Sequence, residues 1–116
     1  GERILFLRRS SKVGTFQGYW SAVSGFIEAD ETPLETAIKE VREETTIVSK
    51  PTKAGEPFKA RDKDIVWTIH PFLFEEKNCS IQIDWEHTEY KWVCVDETVS
   101  YQCVPGLDVV YKSLGL

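Results

Sequence analysis

Glu40, Glu43 and Glu44 recur at helical spacing in ETPLETAIKEVREETT, residues 31–46. Residues three and four apart on an α-helix are neighbours on its surface, so these carboxylates project together and repel one another. A hard divalent cation such as Mg²⁺ relieves that repulsion, because it takes oxygen ligands and commonly holds substrate phosphates as well. Taken alone, a Glu-x-x-Glu-Glu cluster is most simply a solvated acidic face. The residues around it argue for more.

Leu34, Ala37, Ile38 and Val41 fall at i, i+3, i+4 and i+7 beside the acidic face, the pattern of a stripe facing a core. The spacing therefore predicts a helix from Pro33 to about Thr45, buried on one side and acidic on the next. Its start is well marked. Thr32 suits the N-cap, Pro33 the first helical position, and Glu35 completes a Thr-x-x-Glu capping box. Upstream, Gly25 stands in a loop where a backbone carbonyl can approach a metal or phosphate with no Cβ in the way.

The order glycine, loop, acid, capped helix and crowded carboxylates resembles the Nudix hydrolase signature, G-x5-E-x7-R-E-U-x-E-E-x-G-U, where U is a bulky aliphatic residue. Gly25 takes the first glycine and Glu31 the first acid, while Glu40, Val41, Glu43, Glu44 and Ile47 take later positions. Two positions depart from it. Lys39 stands where the signature has Arg, keeping the charge but losing the planar two-pronged contact. Thr46 stands where it has the second Gly, and a β-branched residue resists the left-handed helix exit that Gly tolerates. The flanks are similar too: Ile4 to Arg9 resembles a Nudix strand ending in basic residues, Gly18 to Gly25 the lead-in, and Trp85 to Val93 the late loop and strand.

The resemblance implies an α/β fold, a Nudix-type α/β/α sandwich with a curved mixed sheet, and Mg²⁺-dependent hydrolysis of a nucleoside diphosphate linked to another group, with Mn²⁺ as a substitute. Glu40 and Glu44 become the first metal ligands, with the Gly25 carbonyl as an addition, and Glu43 either binds metal or activates water. Glu31 and Lys39 enter as structural members of the motif. Glu86 is the further carboxylate expected from the late loop, able to cross the cleft as the loop moves; Glu89 competes for that role. Arg8 and Arg9 are candidate phosphate contacts, each equally readable as a surface cation. Phe16, Tyr19, Trp20 and Trp67 are aromatics able to stack on a base, although packing is the commoner role. Nucleoside triphosphates, dinucleoside polyphosphates, nucleotide sugars and dihydroneopterin triphosphate all stay open as substrates. The departures at Lys39 and Thr46 keep a second reading open, a Nudix-like nucleotide-binding or regulatory module with weak or no catalysis.

Composition sets a plainer frame. With 116 residues, 41% hydrophobic and 28% charged, the chain has the size and balance of one compact domain. The expectation is a single domain over residues 1–116, trimmed at its N-terminus or excised from a longer chain, since it starts directly in the strand Ile4 to Arg9. A net charge of −5 argues against nucleic acid as partner, while bound cations still admit polyphosphates. No apolar run approaches the roughly 20 residues that span a bilayer. Cys79, Cys94 and Cys103 lack metal-binding spacing and suit reduced thiols of a cytoplasmic protein. His70 and His87 lack zinc-site spacing, which favours core or loop roles. A homodimer and fusion to another domain are both open.

The remaining elements read as follows. Ser10 to Gly18 is a polar loop and Tyr19 to Ile27 is mainly extended. Asp64 to Phe74 reads as a buried strand despite Pro71, and Ile81 to Ile83 and Tyr90 to Val95 alternate as strands do. Val104 to Leu114 closes the fold as a second helix, with Pro105 near its start.

Overall fold

A computed structural model describes residues 3–77 and 80–116; Cys79 lies outside the described residues. The strand β1 (Ile4–Arg9) forms where expected and is the spine of a three-stranded sheet ordered β2-β1-β7, with β2 at Trp20–Ser21 and β7 at His87–Val93. Both pairings are antiparallel, and the register runs from Ile4 opposite Val93 to Arg9 opposite His87, with a shift between Arg8 and Arg9. Phe6 and Leu7 are both fully buried, so both faces of β1 are covered. On the Phe6 face, α2 (Leu107–Ser113) contributes Leu107 and Tyr111 to a core with Trp20 and Val93. A parallel bridge between Trp20 and Cys103 makes the pairing mixed.

The helix α1 covers Pro33–Thr45, as its pattern predicts. Both halves of the capping box are made: the Glu35 amide donates to Thr32 Oγ1 at 3.2 Å, and the Thr32 amide donates to Glu35 Oε1 at 2.9 Å. One detail of the stripe is corrected. Leu34 is 43% exposed, and the buried positions are Thr36, Val41, Glu44 and Thr45. The helix has turned its first apolar residue outward and one of its acids inward.

Elsewhere the strands differ from their expected bounds. Pro71 interrupts the long apolar run, which becomes β5 (Ile65–Ile69) and β6 (Phe72–Leu73). A strand not anticipated, β4 (Phe58–Asp62), pairs with β5 as an antiparallel hairpin, and β6 pairs with β3 (Lys53–Ala54). Ile65 and Val66 are 51% and 45% exposed, so the hairpin tip is not the buried strand the composition suggested. Residues 81–83 form no strand, although Ile81 is buried. Among the described residues no helix is long and apolar enough to cross a membrane.

Thr46 ends α1 with φ 69° and ψ 2°, the left-handed conformation its position in the motif demands. Its amide still closes the helix by donating to the Arg42 carbonyl at 2.9 Å. A β-branched residue pays for that geometry in strain. Thr46→Gly is therefore expected to raise stability by about 1 kcal/mol in urea unfolding; a loss of stability would show that Thr46 contributes contacts worth more than the strain.

Candidate metal and hydrolytic site

The carboxylates of α1 are placed in three environments. Glu43 is exposed, Glu40 is partly buried, and Glu44 is 1% exposed. Burial, followed by the neighbouring carboxyls of Glu40, Glu86 and Asp84, pushes the Glu44 carboxyl up to about 10. Burial also raises Glu40, whose contact with Glu44 acts in the opposite sense, so Glu44 is the member of the pair that carries the proton. Glu44 Oε2 has no well-formed hydrogen bond, although it is buried. Its other oxygen, Oε1, lies 3.5 Å from His87 Nε2.

Gly25 stands where the Glu40 side chain needs space. A Cβ at Gly25 would fall 2.4 Å from Glu40 Cδ and 2.7 Å from its Oε1. Any larger residue would displace the Glu40 carboxyl, which is a packing reason for glycine at this point in the motif.

Glu31 and Lys39 are brought together as a brace across the loop. Lys39 Nζ lies 2.6 Å from Glu31 Oε2, while Glu31 Oε1 accepts from Thr36 Oγ1 at 2.9 Å and from the Glu28 amide at 3.3 Å. Lys39 holds the Glu31 carboxyl below its ordinary range, and Glu31 in turn raises the lysine. The ammonium also lies 4.0 Å from Glu40 Oε1. A lysine at this position thus still spans from the loop acid to the helix acid.

Glu86 reaches the cluster from the other side of the chain. It is among the charges that push Glu40 and Glu44 up. Its backbone is tied down, because the Ser10 amide donates to the Glu86 carbonyl at 2.7 Å and Ser10 Oγ to the Trp85 carbonyl at 2.9 Å. The segment is thus tied to the residue that follows β1. Glu89 instead faces Arg8 at 4.0 Å, both side chains about half exposed.

The basic pair is engaged with its own loop. Arg8 Nε donates to the Gly18 carbonyl at 3.2 Å, and Arg9 Nε to the Thr15 carbonyl at 3.0 Å. Both arginines nevertheless line an open cavity of about 550 Å³ with Gln17, Gly18, Thr88 and Glu89. Trp20 is placed differently from a base-stacking residue. It is 7% exposed and stacks on Phe6 at 5.2 Å with an interplanar angle of 9°. Phe16 and Tyr19 pack against each other at 5.4 Å, and Phe16 reaches Trp67 at 6.3 Å.

Sequence reasoning missed Asp84 and His87 as neighbours of Glu44. His87 Nδ1 lies 2.9 Å from Asp84 Oδ1, and the His87 side chain is almost wholly buried. The available signal was the crowding of Asp84, Glu86 and His87 at the start of a strand. Nothing in the linear spacing aims that group at a helix far upstream.

The donor chemistry fits a hard cation: several carboxyl oxygens, one buried and unpartnered, around a glycine that admits them. As the side chains stand, no three His, Cys, Asp or Glu residues among those described converge closely enough to hold a metal. A cation bound there would favour the ionised form of Glu44.

This chain belongs to the NUDIX domain family, whose pattern matches residues 1–114. It is 33% identical over 87 residues to the asymmetrical bis(5'-nucleosyl)-tetraphosphatase of Mus musculus, a match covering 68% of this chain and 58% of that protein. The chain thus spans under two thirds of the length of the curated relatives it matches. In fold it is similar to a MutT protein from Methanosarcina mazei Go1, with a TM-score of 0.84 at 24% identity over 97% of this chain and 83% of the other. The NUDIX domain of Shewanella oneidensis NrtR, solved with ADP ribose, superposes with a TM-score of 0.78 at 18% identity, covering 96% and 74% of the two chains. The α/β Nudix fold is thereby established.

The buried acid has a consequence for stability. A carboxyl raised from 4.5 in the unfolded chain to about 10 in the fold binds its proton more tightly when folded. Its contribution is fully present below pH 4.5 and is lost progressively as the pH rises toward about 10. Without metal, the melting temperature should fall between pH 6 and pH 9, and Glu44→Gln should flatten that slope. An equal slope in the two proteins would remove Glu44 as its source.

Proposed function

We propose that this domain is a Mg²⁺-dependent pyrophosphohydrolase that cleaves the phosphoanhydride chain of a nucleotide, with a dinucleoside polyphosphate as the favoured substrate. The observation that carries the catalytic part is the buried, unpartnered oxygen of Glu44 beside Glu40 and within reach of the Glu86 charge. The substrate preference rests on the relatives named as asymmetrical tetraphosphatases.

Glu40, Glu44 and Glu86 would hold the cation, with the Gly25 carbonyl as a further oxygen donor. A divalent cation, when bound, neutralises phosphate charge and lowers the pKa of water. Glu43, which is exposed, would take the proton of the attacking water. Lys39 and Glu31 keep the loop against the helix while phosphate binds. Arg8 and Arg9 line a cavity within the size range of small-ligand sites, and would offer their remaining guanidinium nitrogens to phosphate oxygens. Cys94 and Cys103, both free thiols, suit a reducing, cytoplasmic setting.

The direct test is a product-resolved screen with Mg²⁺ or Mn²⁺ over dinucleoside tetraphosphate, nucleoside triphosphate, nucleotide sugar and ADP-ribose. Asymmetrical cleavage of the tetraphosphate, giving a nucleoside triphosphate and a monophosphate, is the expected outcome. Nucleotide binding with no metal-dependent product would favour a binding module. Glu44→Gln should lower turnover by roughly two orders of magnitude, and Glu86→Gln by about 10- to 100-fold. Glu89→Gln should have little effect on kcat; strong impairment there with a silent Glu86→Gln would move the fourth carboxylate to Glu89.

A further inference from the structure

His87 is buried between two carboxyls on two different segments. Its Nδ1 lies 2.9 Å from Asp84 Oδ1 and its Nε2 lies 3.5 Å from Glu44 Oε1. The turn that makes the first contact is itself closed, with the His87 amide donating to the Asp84 carbonyl at 3.2 Å. The backbone of His87 is anchored too, because His87 opens β7 opposite Arg9 of β1. The Asp84 contact orients the buried imidazole.

That placement treats the two oxygens of Glu44 differently. Oε1 faces the imidazole, and Oε2 is buried without a partner. At 3.5 Å the imidazole edge is the polar neighbour of Oε1. The carboxyl group then has one oxygen engaged and one presented. Carboxylates that bind metals are ordinarily held in this manner by an outer hydrogen-bonding residue, and losing that residue weakens metal binding.

We propose that His87, oriented by Asp84, is a positioning residue that holds Glu44 Oε1 so that Oε2 is presented to a divalent cation. The proposal rests on the reading of Glu44 as a metal ligand. His87 itself touches neither cation nor substrate. It sets the direction of a helix side chain from a strand, which couples α1 to the β2-β1-β7 sheet at the site.

The test is Mn²⁺ binding to the metal-free protein, read from the free-ion electron paramagnetic resonance signal, with circular dichroism and melting to monitor folding. His87→Leu removes both contacts, whereas His87→Gln keeps an N–H donor near the position of Nε2 and loses the Asp84 contact. Both variants should melt lower than the parent. Mn²⁺ affinity should fall about 10- to 100-fold in His87→Leu and stay within about threefold in His87→Gln. Asp84→Ala, which leaves the imidazole in place but unbraced, should weaken binding by about three- to tenfold, and serves if His87→Leu does not fold. Parent-like Mn²⁺ affinity in folded His87→Leu, or in Asp84→Ala where the former is unfolded, overturns the positioning role. Glu44→Gln distinguishes the two levels: unchanged affinity there would sink the metal-ligand reading itself, while weak binding there beside parent-like Asp84→Ala and His87→Leu would sink only the role of His87.

Discussion

The rest of the site depends on one costly placement, a carboxyl group buried among other carboxyls. Glu44 occupies a position on α1 that a purely structural helix would give to an apolar side chain. An ionised carboxylate there, with Glu40, Glu86 and Asp84 as neighbours, is strongly disfavoured without a cation. The fold tolerates the group by leaving it protonated and by placing His87 against it. The surrounding details serve to keep it there: the cap at Thr32 fixes where the helix begins, the absent Cβ of Gly25 makes room for Glu40, and the left-handed Thr46 turns the chain away just after Glu44.

Acids of the same type are sorted by their surroundings into separate tasks. Glu31 is lowered by Lys39 and by bonds from Thr36 and the Glu28 amide, so it stays ionised as a brace. Glu35 is lowered by its capping bonds at Thr32. Glu44 is raised by burial and like charge, which suits an acid whose ionised form is to be stabilised by something brought in from outside. Lys39 serves as the joint between these groups. It lies 2.6 Å from Glu31 and 4.0 Å from Glu40, so a point charge suffices where the family signature has a planar one.

What was legible in the sequence was mostly what is decided locally. The strand Ile4–Arg9 and the helix Pro33–Thr45 carry their own periodicity, breakers and cap. The left-handed exit at Thr46 was put in doubt by its branched side chain, and the fold adopts it nonetheless. Misreadings arose where distant segments decide the environment. Leu34 fits the apolar stripe but lies in the first turn, exposed, whereas Trp20 looks available and is packed between Phe6 and Tyr101. The pairing of Phe58–Asp62 with Ile65–Ile69 was obscured because the apolar tip of the hairpin faces solvent. The Asp84–His87–Glu44 chain joins a turn to a helix, and spacing along the sequence does not encode that meeting.

The central claim is that Glu44 holds a proton in the metal-free fold and gives it up to bind a cation. Isothermal titration of Mn²⁺ at pH 7 in buffers of different ionisation enthalpy measures that exchange directly. The account predicts release of about one proton per cation bound by the parent, and release close to zero in whatever binding Glu44→Gln retains. Mn²⁺ binding by the parent with no buffer dependence would contradict it.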